Sequence, residues 1–341
     1  MLFLIYVTCN SNKMFFFFIL IFSTLISISA NSWMGCWIGL EINLLSFIPL
    51  ISNSNNLMNS EASLNYFLIQ AIASINFLFS ILLKLIIFKN FEMNLFLSIL
   101  INSSMLMKMG SAPFHFWFPN IIEGMTWLNC FILMTWQKIT PMILLSYYMN
   151  KNFLLIIMLL NTIVGAFGGI NQNSLRKLMS FSSINNLGWM MSAIMISENL
   201  WMLYFMLYSF LISIMCFSFH IFNIYFINQL FIFNINFMLK FLIFINFLSL
   251  GGLPPFLGFF PKWIIINFLM TKKFYIISFI FMMMSLITLF FYIRIIYSCI
   301  LFNYLKLKWF NMHLKNNYFS FILFNSLISL MGMILSTLFF M

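Results

Sequence analysis

Four ionisable residues stand where an apolar chain has least use for them. Glu41, Lys108, Lys138 and Lys262 all fall well inside runs of hydrophobic residues. A charged side chain near the centre of a bilayer costs roughly 2.5–3.5 kcal/mol on insertion scales. Burial of an acid or base in such a medium disfavours its charged form by as much as ~3–5 pKa units, each worth about 1.4 kcal/mol. A shift of ~3 units therefore matches the insertion penalty and brings an ammonium near its titration point at neutral pH. The chemistry these residue types permit is proton exchange.

Other cations in the chain have a simpler reading. Lys84 and Lys89 close the third apolar run, Lys151 precedes the sixth, and Lys272 with Lys273 ends the ninth. A lysine at such a border extends its stem along the apolar surface and keeps its ammonium in water. Lys138 does not fit that pattern. It sits in Met134-Thr-Trp-Gln-Lys138-Ile-Thr-Pro141, about a dozen residues from either end of its run. Pro141 leaves the carbonyl of Gln137 without its helical partner, which gives water or a lysine somewhere to bind. Glu41 lies about eight residues into its run with no lysine nearby in sequence. His115 is a candidate relay because it follows an interruption in the fourth run, whereas His220 and His313 read as a packing residue and a loop residue.

These residues require long apolar helices to position them. The runs read as helices near 14–31, 33–51, 61–87, 93–124, 125–149, 153–171, 175–197, 199–227, 237–270, 274–299 and 318–340. The expected class is therefore an all-α polytopic membrane protein of about eleven transmembrane helices, since ~20 apolar residues span a bilayer. The first run, Met14 to Ala30, follows Lys13 and is expected to be a retained helix rather than a cleaved signal.

Two runs are too long for one simple span, and both carry a break: Gly110-Ser-Ala-Pro113 and Gly251-Gly-Leu-Pro254-Pro255. Proline removes a backbone donor, and glycine tolerates the dihedrals an interruption needs. Such backbone survives at membrane depth only where protein buries it or it lines a wet cavity. The breaks lie about 141 residues apart, close to the offset between the first and sixth helices. One membrane domain, 1–341, then divides into five-helix repeats at 14–149 and 153–299 and a last helix at 318–340. An odd number of spans per repeat inverts the second copy, a layout that secondary transporters share.

Composition excludes most other classes. Of 341 residues, 64% are hydrophobic and 6% charged, against roughly 25% charged in an ordinary soluble domain. Aspartate is absent, and the net charge of +11 is scattered, with Lys306, Lys308 and Lys315 the nearest thing to a cluster. That pattern suits anionic lipid at the membrane border and no nucleic acid. The cysteines Cys9, Cys36, Cys130, Cys216 and Cys299 form no CxxC pair, which gives no support to a zinc or iron–sulfur site. Gly165-Ala-Phe-Gly168-Gly169 and Gly35-Cys-Trp-Ile-Gly39 lie in apolar helices and read as close helix packing rather than phosphate loops. The heavy use of Phe, Met, Ile, Leu, Asn and Lys is what a strongly A+T-rich genome encodes, as in many animal mitochondria.

Longer motifs then become specific. Met107-Lys-Met-Gly-Ser-Ala-Pro-Phe-His-Phe-Trp-Phe-Pro119 resembles a signature of the antiporter-like membrane subunits of respiratory complex I and of multisubunit Na⁺/H⁺ antiporters. Ser249-Leu-Gly-Gly-Leu-Pro-Pro-Phe-Leu-Gly-Phe-Phe-Pro-Lys262 resembles a second one. The segments Asn31 to Pro49 and Leu175 to Trp189 strengthen the resemblance, which covers essentially the whole chain. Eleven helices fit the animal form of such a subunit, which lacks three N-terminal helices of bacterial relatives. One departure is visible: the family often has histidine where this chain has Asn186.

The resemblance implies a role in proton translocation for these residues. It makes Glu41 and Lys108 an interacting pair, Lys138 a central relay lysine and Lys262 the lysine of a second half-channel. A charge change in neighbouring subunits would perturb the pair, and protons would move stepwise along bound water. The implied setting is the mitochondrial inner membrane, in contact with other complex I membrane-arm subunits and phospholipids such as cardiolipin. No soluble substrate is implied, and no cofactor is bound by this chain: FMN, iron–sulfur clusters and ubiquinone are expected in other subunits. The N-terminus is expected to face the matrix, with Lys13, Arg176, Lys177, Lys240, Lys306, Lys308 and Lys315 on that side. The alternatives are a stand-alone cation/proton antiporter and a purely structural membrane subunit.

Overall fold

A computed structural model describes residues 11–53, 56–87, 95–232, 237–302 and 316–338. Lys89, Lys306, Lys308, Lys315, His313 and Cys9 lie outside the described residues. Without water to bond the backbone, a segment crossing hydrocarbon must satisfy its own N–H and C=O groups, and a helix does so locally. The described residues accordingly form helices and no strand, with one isolated antiparallel bridge between Ser174 and Phe226.

The chain divides into two compact units, Met1–Ile157 and Met158–Met341. The first holds α1 (Ser11–Ser29), α2 (Trp33–Ile51), α3 (Leu57–Ile87), α4 (Leu95–Met109), α5 (Trp117–Gly124), α6 (Trp127–Met134) and α7 (Trp136–Tyr147). Next comes α8 (Lys151–Gly169), within which the boundary falls. The second unit continues with α9 (Leu175–Ile196), α10 (Glu198–Phe222), α11 (Ile227–Ile232) and α12 (Phe237–Gly251). It closes with α13 (Phe259–Thr271), α14 (Tyr275–Leu301) and α15 (Asn316–Leu338).

Helix ends follow from local chemistry. Ser32 caps α2 by accepting from the Gly35 amide at 3.2 Å, and Ser197 caps α10 by accepting from the Leu200 amide at 3.3 Å. Asn223 ends α10 in the left-handed region, where a short polar side chain is tolerated. Buried hydroxyls inside the helices bond back one turn, as Ser23 does to the Leu20 carbonyl at 2.8 Å. That removes the penalty of an unpaired hydroxyl in an apolar layer.

Among the described residues seven helices are long and apolar enough to cross a membrane, with α6 and α7 together counted as one. The other four expected segments are helical as well. Two are interrupted as expected, between α4 and α5 and between α12 and α13. The expected helix at 125–149 is present with a one-residue interruption at Thr135, which stays in the right-handed helical region but far from ideal values (φ −117°, ψ −74°). α9 is long but too polar to resemble a lipid-facing span. Its Ser180, Ser182, Ser183, Asn185 and Asn186 are all buried, so protein rather than lipid surrounds it.

Small residues let helices approach closely. A Cβ on Gly39 would stand 2.8 Å from the Ser27 backbone nitrogen, so α1 and α2 meet backbone to backbone. In the second unit Gly165 lies against the backbone of Asn185, and Gly188 against Thr162. The glycine-rich segments serve helix packing, as their setting in apolar helices led one to expect.

Candidate functional site

In the first unit, the break after α4 is built around Gly110. Its φ of +69° favours glycine, and a Cβ there would stand 2.9 Å from that of Phe118. The interruption leaves the last carbonyls of α4 needing donors. The Leu106 carbonyl accepts from both the amide and the hydroxyl of Ser111 at 3.1 Å, and the Lys108 carbonyl accepts from Nε2 of Gln70 at 3.1 Å. Gln70 thus ties α3 to the residue whose ammonium belongs to the candidate site.

Phe118, seated on Gly110, turns its ring toward Lys138, whose Nζ lies 5.2 Å from the ring centroid. An ammonium over an aromatic face is attracted by the ring quadrupole. Lys138 is 1% exposed, on α7 just after the Thr135 break and three residues before Pro141. The adjacent Gln137 donates from Nε2 to Oδ1 of Asn43 on α2 at 2.8 Å. That bond links the lysine's helix to the helix that carries Glu41.

Glu41 is half-buried on α2, and Lys108 is 7% exposed at the end of α4. Their charges interact through space, with no direct ion pair between them. His115 engages residues of its own turn. Its half-buried ring meets the Pro113 carbonyl at 3.2 Å and the Phe116 ring at a centroid distance of 4.2 Å. The first unit therefore gathers Lys108 with Glu41 and Lys138 with Phe118, while His115 engages its own turn.

The second unit builds its site on the other break. Gly252 has φ of +82° and lies against Lys262, whose Nζ donates to the Gly251 carbonyl at 3.0 Å. That carbonyl is one of the unpaired acceptors at the end of α12, so the lysine replaces the missing helical donor. Lys262 is 6% exposed, and its Nζ lies 5.9 Å from the centroid of Trp189. Beside it is a cavity of about 20 Å³ lined by Asn186, Tyr204, Tyr208, Gly258, Pro261 and Lys262, among others. The Tyr204 hydroxyl donates to Oδ1 of Asn186 at 2.8 Å. A space of ~10–15 Å³ with polar partners suffices for one water.

Sequence reading missed three features of these sites. The Gln137–Asn43 bond and the Tyr204–Asn186 pair join residues on different helices, and only the fold reveals such pairs. The third is Lys240, which was counted among the loop cations. It lies on α12 and is 4% exposed. Its signal was a lysine at the start of a long apolar run, the position where a snorkelling side chain is the ordinary expectation. Among the described residues no three His, Cys, Asp or Glu side chains gather as a metal site would need.

The comparisons with known proteins agree with one another. The family model described as NADH:quinone oxidoreductase/Mrp antiporter, TM, matches residues 30–288. NADH-ubiquinone oxidoreductase chain 2 of Anopheles gambiae is 52% identical over 309 residues, covering 89% of this chain and 89% of that one. The protein of the same name from Aedes aegypti is 51% identical over 336 residues, covering 96% and 97%. A chain of respiratory complex I from Thermus thermophilus superposes with a TM-score of 0.81 at 17% identity, covering 96% of this chain and 79% of its own. At that identity the last likeness speaks for the fold.

Proposed function

The chain belongs to the NADH:quinone oxidoreductase/Mrp antiporter membrane family, and on that basis we propose that it carries protons as an antiporter-like subunit in the membrane arm of respiratory complex I. It is the counterpart of chain 2 of the insect enzyme and a multi-pass protein of the mitochondrial inner membrane. One observation carries this reading: each broken helix holds a buried lysine, Lys108 before the first break and Lys262 bonded across the second. Apolar packing alone has no need of either, and ionisable residues held inside a membrane protein are a signature of ion and proton pathways.

The roles follow from position. Lys138 and Lys262 are the proton-carrying groups of their respective units. Glu41 and Lys108 form the charge pair that responds to neighbouring subunits, and Asn43 with Gln137 holds the helix of Glu41 to that of Lys138. His115 is a peripheral relay. Residues 14–149 and 153–299 are two five-helix repeats, the second inverted in sequence order of its spans, and the N-terminus faces the matrix. Partners are other membrane-arm subunits and phospholipids. FMN, iron–sulfur clusters and ubiquinone belong to other subunits, so electron transfer acts on this chain only through conformation and charge.

The test is NADH-driven proton movement by the assembled complex carrying Lys262→Met. Undiminished pumping in a fully assembled variant would leave the chain a structural subunit. Sodium transport by the isolated chain without NADH oxidation would make it a self-contained antiporter.

A further inference from the structure

We propose that Lys240, together with a polar cavity at its end of the second unit, is an additional proton-uptake site that supplies Lys262. The inference rests on the proton-carrying reading above and adds a residue and an entrance to it.

α12 carries a lysine at each end. Lys240 stands near its start, and Lys262 docks on the carbonyl of its last residue, Gly251. Eleven residues of helix separate those two positions, about 16 Å at 1.5 Å per residue. A border lysine that merely snorkelled would reach water, whereas Lys240 is as deeply enclosed as Lys262. Between them Asn246 is fully buried. Its Oδ1 accepts from the Ser329 hydroxyl at 3.0 Å, and its Nδ2 has no protein acceptor. A buried amide donor left in that state is costly unless water takes it.

The entrance lies on the neighbouring helix. A cavity of about 400 Å³ is lined by Asn171, Gln172, Asn173, Asn228, Arg294 and Ser298, together with apolar side chains. At about 30 Å³ per molecule it has room for roughly a dozen waters. Arg294 helps to fix its wall, donating from Nη1 to the Ile170 carbonyl at 3.3 Å. Arginine does not release a proton in proteins, so it can attract water and anions but not pass protons on. Lys240 can. The helix that carries it packs against α14, where the buried Cys299 follows the cavity-lining Ser298 and lies one turn beyond the cavity-lining Ile295. α14 thus forms part of the cavity wall and also packs against the helix of the buried lysine.

The experiment measures protons moved per NADH oxidised in the assembled complex for Lys240→Met, Lys240→Arg and Lys240→His, with Lys262→Met alongside. A proton carrier predicts that Met and Arg each lower the ratio at least about tenfold, while His, which titrates, recovers much of it. Restoration by Arg would assign Lys240 a fixed structural charge and overturn the proposal. So would His performing no better than Met. Normal pumping in Lys240→Met with a defect in Lys262→Met would sink this inference alone, whereas normal pumping in both would sink the proton-carrying reading as well. Independently of assembly yield, Ser298→Cys should react with a small water-soluble methanethiosulfonate reagent. A Ser298→Cys thiol that stays unmodified would show the cavity closed to water and end the proposal.

Discussion

The ammonium of Lys262 and the carbonyl of Gly251 are hydrogen-bonded at 3.0 Å across the interruption between α12 and α13. The lysine therefore occupies the position of a missing helical donor, and its proton state is tied to the backbone that the break exposes. A neutral amine bonds a carbonyl less strongly than an ammonium does. Proton loss at Lys262 should loosen the break, which links the chemistry of this residue to the geometry of its helix.

Gly252→Ala tests that link. A Cβ would stand 3.0 Å from Nζ of Lys262, on a residue whose φ is +82°. The left-handed backbone alone should cost roughly 1–2 kcal/mol. The lysine must also shift, so proton pumping should fall several-fold while the complex still assembles. Thermal denaturation together with pumped protons per NADH checks this, and unchanged pumping would separate the lysine from the break.

Lys138→Met should leave stability nearly unchanged and sharply lower pumping. Methionine is close in volume and removes a charge that is 1% exposed, so repacking should cost less than about 1.5 kcal/mol. A normal proton ratio in assembled Lys138→Met complex would remove the residue from the pathway.

Glu41→Gln and Lys108→Met form a double-mutant cycle. Stranding one member of a fully buried, touching pair costs ~3–5 kcal/mol. Here Glu41 is half-buried and the charges interact without direct contact, so the coupling should lie nearer 0.5–1 kcal/mol. The double variant should assemble better than Lys108→Met alone. Strictly additive losses in assembly and pumping would dissolve the pair.

Tyr204→Phe removes the hydroxyl that donates to Asn186 at 2.8 Å. One buried hydrogen bond contributes about 1 kcal/mol, a small stability loss for a protein of this size. Pumping should drop more than stability does, because the cavity beside Lys262 loses an oriented polar group. Equal, small changes in both would make the pair a packing feature.

Much of the fold was legible because bilayer physics leaves so few choices. The range of α2 and both helix interruptions follow from apolar run length and from glycine and proline placement. The break at Thr135 was not legible, since Met134-Thr-Trp-Gln carries neither glycine nor proline, and Pro141 lies farther along. Lys108, Lys138 and Lys262 stood out as charges inside apolar runs. Lys240 did not, because enclosure depends on neighbours such as α14 that sequence spacing does not reveal. Asn186 looked like the loss of a histidine. Its bond to Tyr204 shows that another helix contributes a polar group at the same place.

The size of the space beside Lys262 bears on which ion this half of the chain can handle. With about 20 Å³ available, one water at most can stand among Asn186, Tyr204, Tyr208 and the ammonium. An alkali cation arriving there would have to shed nearly all its hydration and find replacement oxygens next to a repelling positive charge. A proton needs only one bridging molecule and a willing acceptor at either side. Exclusion of sodium beside Lys262 would then come from too few ligands and too little room.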